Sequence, residues 1–422
     1  MPSIPPSSQP TALADAPVKT DAVRDRMTKA ELRASISLAS IFALRMLGLF
    51  LILPVFAEYA RTLPDGHDAQ RVGIAMGIYG LMQAFLHIPL GWLSDRVGRK
   101  PVMVCGLLLF VAGALIAAFA DTLTGITIGR ALQGMGAISA AITACIADLT
   151  RERHRTKAMA MVGGSIGLTF ALSLVIASPL LHSIGMPGIF GLMAVLGVVA
   201  IGVTIFLVPP PPPPHPVQLP FRKVLLNADL IRLNVGVLAL HASQVAMFMV
   251  VPAMLTDAGM PLDQHWKVYL PVVLVSFLLM LAPMMAAERY GKVRPVLLAS
   301  VALMTAVQLL FATVHGLWSI VGVLLLFFVA FNVLEAMQPS LVSRYAAASR
   351  GAALGVYNTT QAMGLFLGGV VGGWLLKHEG RPAVFVGCAA VLMLWLIIAW
   401  SMKAPPARAS GEKGGGTSPV AV

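Results

Sequence analysis

Charge is scarce in this 422-residue chain: Asp, Glu, Lys and Arg make up 11% of it, where a soluble protein carries about 25%. Apolar residues reach 58% and mean hydropathy is +0.84, too little polar surface to cover a soluble globule. Cys105, Cys145 and Cys388 are the only cysteines, all within apolar runs and without paired spacing. That argues against a disulfide framework or a metal site and for small packing residues. No G-x-x-x-x-G-K-[ST] loop is present, which argues against ATP-driven work. No His/Cys/Asp cluster or nucleophile motif points to a membrane enzyme, and no cofactor is implied. Ten-residue apolar/polar alternation is missing too, so an outer-membrane barrel does not fit.

What is present is a series of long apolar runs. A bilayer core about 30 Å thick needs roughly 20 residues of helix, and backbone in lipid must satisfy its own hydrogen bonds. The chain therefore reads as an all-α, multi-pass membrane protein. Twelve spans are expected, near 34–57, 72–93, 101–120, 124–147, 157–181, 186–208, 231–255, 266–287, 295–314, 317–340, 351–376 and 382–402. Residues 1–33 form a polar, Pro- and Ser-rich tail expected to be disordered. The Pro209–Pro214 run opens a linker over 209–230 that divides the spans six and six, because polyproline is stiff and extended. The two bundles then cover 34–208 and 231–402, and 403–422 is a second tail.

The net charge of +12 invites a nucleic-acid reading, but loop bases explain it better. With loops assigned to alternate sides, the side holding both termini collects 23 Lys and Arg, and the other five: Arg61, Arg71, Lys267, Lys377 and Arg381. Arg45 and Arg130 fall within spans. By the positive-inside rule both termini are cytoplasmic.

The densest polar stretch between two spans is Gly91-Trp92-Leu93-Ser94-Asp95-Arg96-Val97-Gly98-Arg99-Lys100-Pro101. Gly98 allows the backbone geometry of a short turn. Asp95-Arg96-x-Gly98-Arg99 is echoed after the eighth span by Glu288-Arg289-x-Gly291-Lys292, an internal repeat that suits two parallel halves with a substrate site between them near mid-membrane. The G-x-x-x-D-R-x-G-R-K pattern resembles the signature loop of the major facilitator superfamily. Gly129-Arg130-Ala131-Leu132-Gln133-Gly134 in span four is similar to that family's second motif. Leu44-Arg45-Met46-Leu47-Gly48 and Phe331-Asn332-Val333-Leu334-Glu335-Ala336 resemble YajR-type permeases of its drug–proton antiporter branch.

The resemblance implies two pseudo-symmetric six-helix bundles and a conformational latch at Gly91, Asp95, Arg96, Gly98, Arg99 and Lys100. Asp95 and Arg96 would carry the latch with Asp148 as partner, while Arg99 and Lys100 would anchor topology. Two departures bear on function. Ala177-Ser178-Pro179 stands where the antiporter signature ends in Gly-Pro, which weighs against drug efflux. The small soluble C-terminal domain of the YajR type is also expected to be absent, since the chain stops about twenty residues after span twelve in a Gly-rich stretch.

Within the spans, Arg130 and Gln133, His241 and Gln244, and Asn332 and Glu335 are each spaced i, i+3, on one helix face. The resemblance places spans four, seven and ten around a central cavity with span one, which contributes Arg45. A charge at a helix centre costs at least about 2.5–3.5 kcal/mol, so such residues face an interior or water. Burial disfavours a charged carboxylate, which suits Glu335 to bind and release a proton. His241 is the second proton candidate, because imidazole titrates near neutrality. His87, one turn after Gln83, reads as a packing or hydrogen-bonding residue. Gly364, Gly368, Gly369, Gly372 and Gly373 read as helix-packing or hinge positions.

The expected function is secondary active transport by alternating access: proton-coupled efflux of a hydrophobic or drug-like molecule by a monomer in the inner membrane. A permease for a sugar, organic anion or other metabolite is the alternative, since Arg45 and Arg130 suit an anion. From another class, a non-transporting receptor or scaffold would tolerate cavity substitutions. The topology has a direct check. Alkaline phosphatase, active only outside the cytoplasm, should be silent when fused after Gly98 and active when fused after Asp121. The reverse pattern would overturn the assignment.

Overall fold

The computed structural model describes residues 27–211, 224–346 and 349–402, without the side chains of 152, 153, 156 and 350. The expected tails and linker thus lie largely outside the described residues. Among the described residues all regular structure is helical.

The first helix, α1 (Lys29–Ile52), starts five residues inside the expected tail. Thr28 and Glu31 form a capping box: the Thr28 hydroxyl accepts from the Glu31 amide at 3.1 Å, and the Glu31 carboxylate accepts from the Thr28 amide at 2.8 Å. That satisfies two of the amides a helix start leaves orphaned. Span one, expected as one helix to residue 57, instead breaks around Pro54 and resumes as the short α2 (Phe56–Ala60), since proline ends a helix. Next come α3 (Ala69–Val97) and α4 (Arg99–Ala118), joined at Gly98, whose φ of 105° is open to glycine.

Span four is likewise two helices, α5 (Leu123–Met135) and α6 (Ser139–Leu149). At the break the backbone presses on its neighbours: a Cβ added to Gly134 would lie 2.3 Å from the Tyr79 carbonyl oxygen, and one on Gly136 2.3 Å from that of Gly106. Spans five and six run together as α7 (Glu152–Gly202), but Gly185 has φ 68° and ψ 177° and turns the chain. Unturned, 51 residues would reach about 77 Å, more than twice the bilayer core. Among the described residues eleven helical stretches are long and apolar enough to cross a membrane, and the turn in α7 makes twelve crossings. The second half holds α8 (Ala228–Asp257), α9 (Trp266–Arg289), α10 (Val293–Phe311), α11 (Leu317–Tyr345), α12 (Arg350–His378) and α13 (Arg381–Trp400). The repeat read in the loops is structural: Gly291, before α10, has φ 66° and mirrors Gly98 before α4.

The glycines of α12 serve two neighbours. Gly364, Gly368 and Gly372 lie against Leu238, Ala242 and Ala246 of α8, so that face binds α12 into its own half. Gly369 and Gly373 lie against Gly73 and Gln70 of α3, across the boundary between halves. Added Cβ atoms would sit 2.0 Å (Gly73) and 2.3 Å (Gly369) from the opposing carbonyl oxygens, and Gly80 meets Ala362 in the same way at 2.4 Å. The face opposite the termini is therefore sealed by α3 on α12. Towards the terminal face the contact is lost: a Cβ on Gly163, Gly164 or Gly167 of α7, or on Gly351 or Gly355 of α12, would meet nothing within 4 Å. The two halves splay towards the termini.

An ion pair also spans the sealed face. Asp68 caps α3, accepting from the Gln70 and Arg71 amides at 2.9 and 3.4 Å, and takes a hydrogen bond from Lys377 at 2.7 Å. Lys377, and then these amides, hold the Asp68 carboxyl below its ordinary value. Its contribution to closure is thus complete above the ordinary carboxylate range near about 3.9 and is lost as pH falls through the lowered value. The pair is 41% and 30% exposed, so it adds at most about 1 kcal/mol. Backbone packing carries the seal. Cross-linking a cysteine pair at 68 and 377, with Cys105, Cys145 and Cys388 replaced by serine, should be efficient. It should fall severalfold in the same background with Gly73→Leu, while Lys377→Ala in the uncross-linked chain should barely change the accessibility of this face.

Candidate functional site

Polar side chains inside the bundle gather into two clusters, one in each half. In the first half, Arg45 of α1 is 1% exposed and Arg130 of α5 is 2%. Arg45 donates through Nη2 to the Tyr79 hydroxyl at 2.7 Å and through Nη1 to Ser139 Oγ at 3.2 Å. Arg130 donates to Gln133 Oε1 and to the Met76 carbonyl, both at 3.4 Å. The Tyr79 ring faces both guanidinium groups, with centroid distances of 5.8 Å to Arg45 and 5.1 Å to Arg130. A desolvated contact of this kind is worth about 2 kcal/mol, which offsets part of the cost of each buried charge. Gln83 donates to the same hydroxyl at 3.5 Å. His87 is buried and neither ring nitrogen has a partner, so of the two roles expected of it, packing or hydrogen bonding, it fills the first.

In the second half, His241 of α8 places Nδ1 3.1 Å from the Val237 carbonyl oxygen. A carbonyl only accepts, so Nδ1 carries the proton and Nε2 of the neutral ring is an acceptor. Nε2 lies 2.7 Å from Gln361 Nε2 on α12 and 3.5 Å from Glu335 Oε2 on α11. The Glu335 side chain is 32% exposed, while Oε2 is buried without a hydrogen bond. Asn332, one turn before, donates to Ser276 of α9 at 3.1 Å, and Gln244 is buried one turn after His241. Glu335 thus meets His241 rather than either arginine, and among the described residues neither Arg45 nor Arg130 has a carboxylate within 4.0 Å.

Between the clusters runs an aromatic seam. Phe170 of α7 sits 5.0 Å from Phe50 of α1, 6.0 Å from Phe328 and 5.8 Å from Phe331 of α11. Phe331 also edges onto His241 at 6.0 Å. The imidazole therefore abuts the surface along which the halves meet.

At the terminal face the expected latch residues are rearranged. Arg99, read as an anchor, is the centre: it binds Asp95, donates to Ser94 Oγ at 2.7 Å and reaches Asp148 of α6 at 3.0 Å. Arg96 instead lies over the Trp92 ring at 3.8 Å, Lys100 reaches the Ile205 carbonyl at 3.4 Å, and Gly91 accepts from Ser94 at 2.7 Å while abutting Ala140 of α6. A cleft of about 550 Å³ nearby is lined by Thr28, Glu31, Asp148 and Arg151, among others. Its charged groups are already engaged, Glu31 with Arg151 at 2.7 Å, Asp148 with Arg99, and Arg155 with the Ala147 carbonyl at 3.1 Å, so it is a surface groove and not the centre of the chemistry.

Sequence reasoning missed Tyr79, Ser139, Ser276 and Gln361. Tyr79, Gln83 and His87 recur every fourth residue, a polar stripe legible on one face of α3; the others carry no local signal.

The chain matches the family model described as Major Facilitator Superfamily over residues 38–287 and 233–421. It is 42% identical over 389 residues to the inner membrane transport protein YajR of Escherichia coli, covering 90% of this chain and 86% of that one. It is 28% identical over 371 residues to the multidrug resistance protein MdtH of Cronobacter sakazakii, covering 83% and 90%. In fold it resembles a crystallised D-xylose-proton symporter, with a TM-score of 0.70 at 15% identity over 87% of this chain and 97% of that one.

The arrangement around Arg99 separates its role from that of Arg96. Arg99→Met strands two carboxylates side by side and should lower the unfolding free energy by about 2 kcal/mol. Arg96→Met removes an exposed ring contact and should cost under about 1 kcal/mol. Thermal unfolding of the two variants in detergent reads the difference, and an equal loss in both would contradict the assignment.

Proposed function

This chain belongs to the Major Facilitator Superfamily, and we propose that it works by alternating access, coupling inward proton movement to export of a small drug-like or hydrophobic molecule. Membership of the superfamily makes it a multi-pass membrane transporter. The observation that carries the finer reading is the His241–Glu335–Gln361 group on three helices, set against the aromatic seam between the halves. The name of the YajR relative, an inner membrane transport protein, supports that location, and that of the MdtH relative, a multidrug resistance protein, supports a drug-like cargo. With the termini cytoplasmic, as the loop charges argue, the splayed face opens inward. Enclosure of the path by the twelve crossings of one chain supports a monomeric working unit.

The proton chemistry follows from the tautomer. Neutral His241 accepts at Nε2 from the Gln361 amide. A proton arriving at Nε2 turns that acceptor into a donor, and Gln361 must then withdraw its N–H or present its carbonyl oxygen. The Glu335 carboxylate, 3.5 Å away, attracts the new cation. Gln361 precedes Ala362, whose backbone packs on Gly80 in the seal. A shift of α12 driven at Gln361 therefore acts directly on the contact that must part for the far face to open. Charging a buried imidazole beside a carboxylate is the kind of local electrostatic change that biases a two-state element.

Purified protein in liposomes loaded with a pH-sensitive dye tests this. Adding a screened drug-like substrate should evoke proton flux in the wild type. Glu335→Gln and His241→Gln should each reduce it at least tenfold. Substrate movement with no proton signal in any of the three proteins would replace antiport by uniport, and absence of transport altogether would favour a receptor or scaffold.

A further inference from the structure

We propose that the polar cluster of the first half is an anion site, and that the transported molecule carries a carboxylate, sulfonate or phosphate group bound between Arg45 and Arg130. This rests on the transport reading above and specifies its substrate.

The inference comes from counting donors against acceptors. Every oxygen acceptor named in the cluster is engaged: Ser139 Oγ by Arg45, the Tyr79 hydroxyl by Arg45 and Gln83, and Gln133 Oε1 and the Met76 carbonyl by Arg130. What remains without a partner is Nε of Arg45, Nε of Arg130, Nε2 of Gln133 and both ring nitrogens of His87, all on side chains more than nine-tenths buried. Guanidinium and amide nitrogens only donate, and a neutral imidazole donates from one nitrogen. Buried polar groups are as a rule hydrogen-bonded. Apart from one imidazole nitrogen of His87, the unmet bonding capacity here is therefore donor capacity, carried by α1, α3 and α5.

Charge points the same way. Two guanidinium groups stay ionised at any physiological pH, and among the described residues no carboxylate lies within 4.0 Å of either. Buried charges are normally paired. A cation entering the cluster meets like charge, and a purely apolar guest leaves every orphan donor unmet. An acceptor-only, negatively charged group satisfies both at once, and the planar fork of arginine matches carboxylate, sulfonate and phosphate oxygens. The carboxylate of Glu335 stands apart, in the other half and beside His241, so the site is left free for an external anion.

The test uses the purified full-length chain in detergent with 6-carboxyfluorescein as an anionic probe, read by fluorescence anisotropy. Saturable binding is expected, displaced by sodium benzenesulfonate and not by tetraphenylphosphonium. Arg45→Met and Arg130→Met should weaken it at least tenfold. Ser139→Asp supplies an internal carboxylate where Arg45 now meets a hydroxyl at 3.2 Å. It should abolish probe binding while the thermal midpoint stays level or rises, which guards against loss by misfolding. No saturable binding, displacement by tetraphenylphosphonium, or wild-type affinity in Ser139→Asp would overturn the proposal. Binding in detergent needs no proton gradient. Failure here alongside Glu335-dependent proton flux sinks the anion site alone, whereas anion binding without such flux sinks the coupling reading alone.

Discussion

A polar group left unpaired in hydrocarbon costs several kcal/mol, and the architecture follows from avoiding that cost. It drives the backbone into helices and confines most charge to the ends, where the capping box at Thr28 and the cap at Asp68 close the first amides of α1 and α3. Because lipid gives helices little hydrophobic reason to associate, cohesion comes from close backbone approach. The two glycine faces of α12 are that principle used twice, once to build a half and once to join the halves. Charges that remain inside, Arg45, Arg130, His241 and Glu335, are gathered into two interior clusters rather than scattered along lipid-facing surfaces.

Placement of those clusters bears on coupling. The acid and the imidazole occupy one half and the two guanidinium groups the other, with Phe50, Phe170, Phe328 and Phe331 between them. On the proposed roles, a proton at His241 and a ligand at Arg45 would act on different halves that share one seam. Gln361 and Ala362, adjacent on α12, link the first of these to the seal against α3. Coupling of this kind needs a two-state element that both sites bias; the element we propose is α12, packed hard at one end and uncovered at Gly351 and Gly355.

Much of this was legible in the chain. Twelve apolar runs, the break after residue 208 and the loop repeat fixed the architecture, and the i, i+3 pairs marked six of the seven expected cavity residues. Errors fell where hydropathy alone was followed or where tertiary contacts outvote local pattern. Pro54 splits one continuous apolar run by a local backbone rule, and the Gly134–Gly136 approach splits another through its neighbours. Arg96 and Arg99 look interchangeable in sequence, but only Arg99, on the first turn of α4, reaches both Asp95 and Asp148.

By itself, the sequence determined that the protein is a helical membrane protein of twelve crossings with a basic terminal face; that it is a transporter was implied by the resemblance of its motifs. The crossings and the basic face depend on apolar length and on charge summed along the chain, and both are local. Only the tertiary structure decided that His241 meets both Glu335 and Gln361, that the Tyr79 ring faces two guanidinium groups, and that the face opposite the termini is the sealed one. These are matters of which helix faces which across 120 residues for His241 and Gln361, and 34 for Arg45 and Tyr79. No short-range pattern encodes such distances, because side chains on different helices are brought together by packing alone.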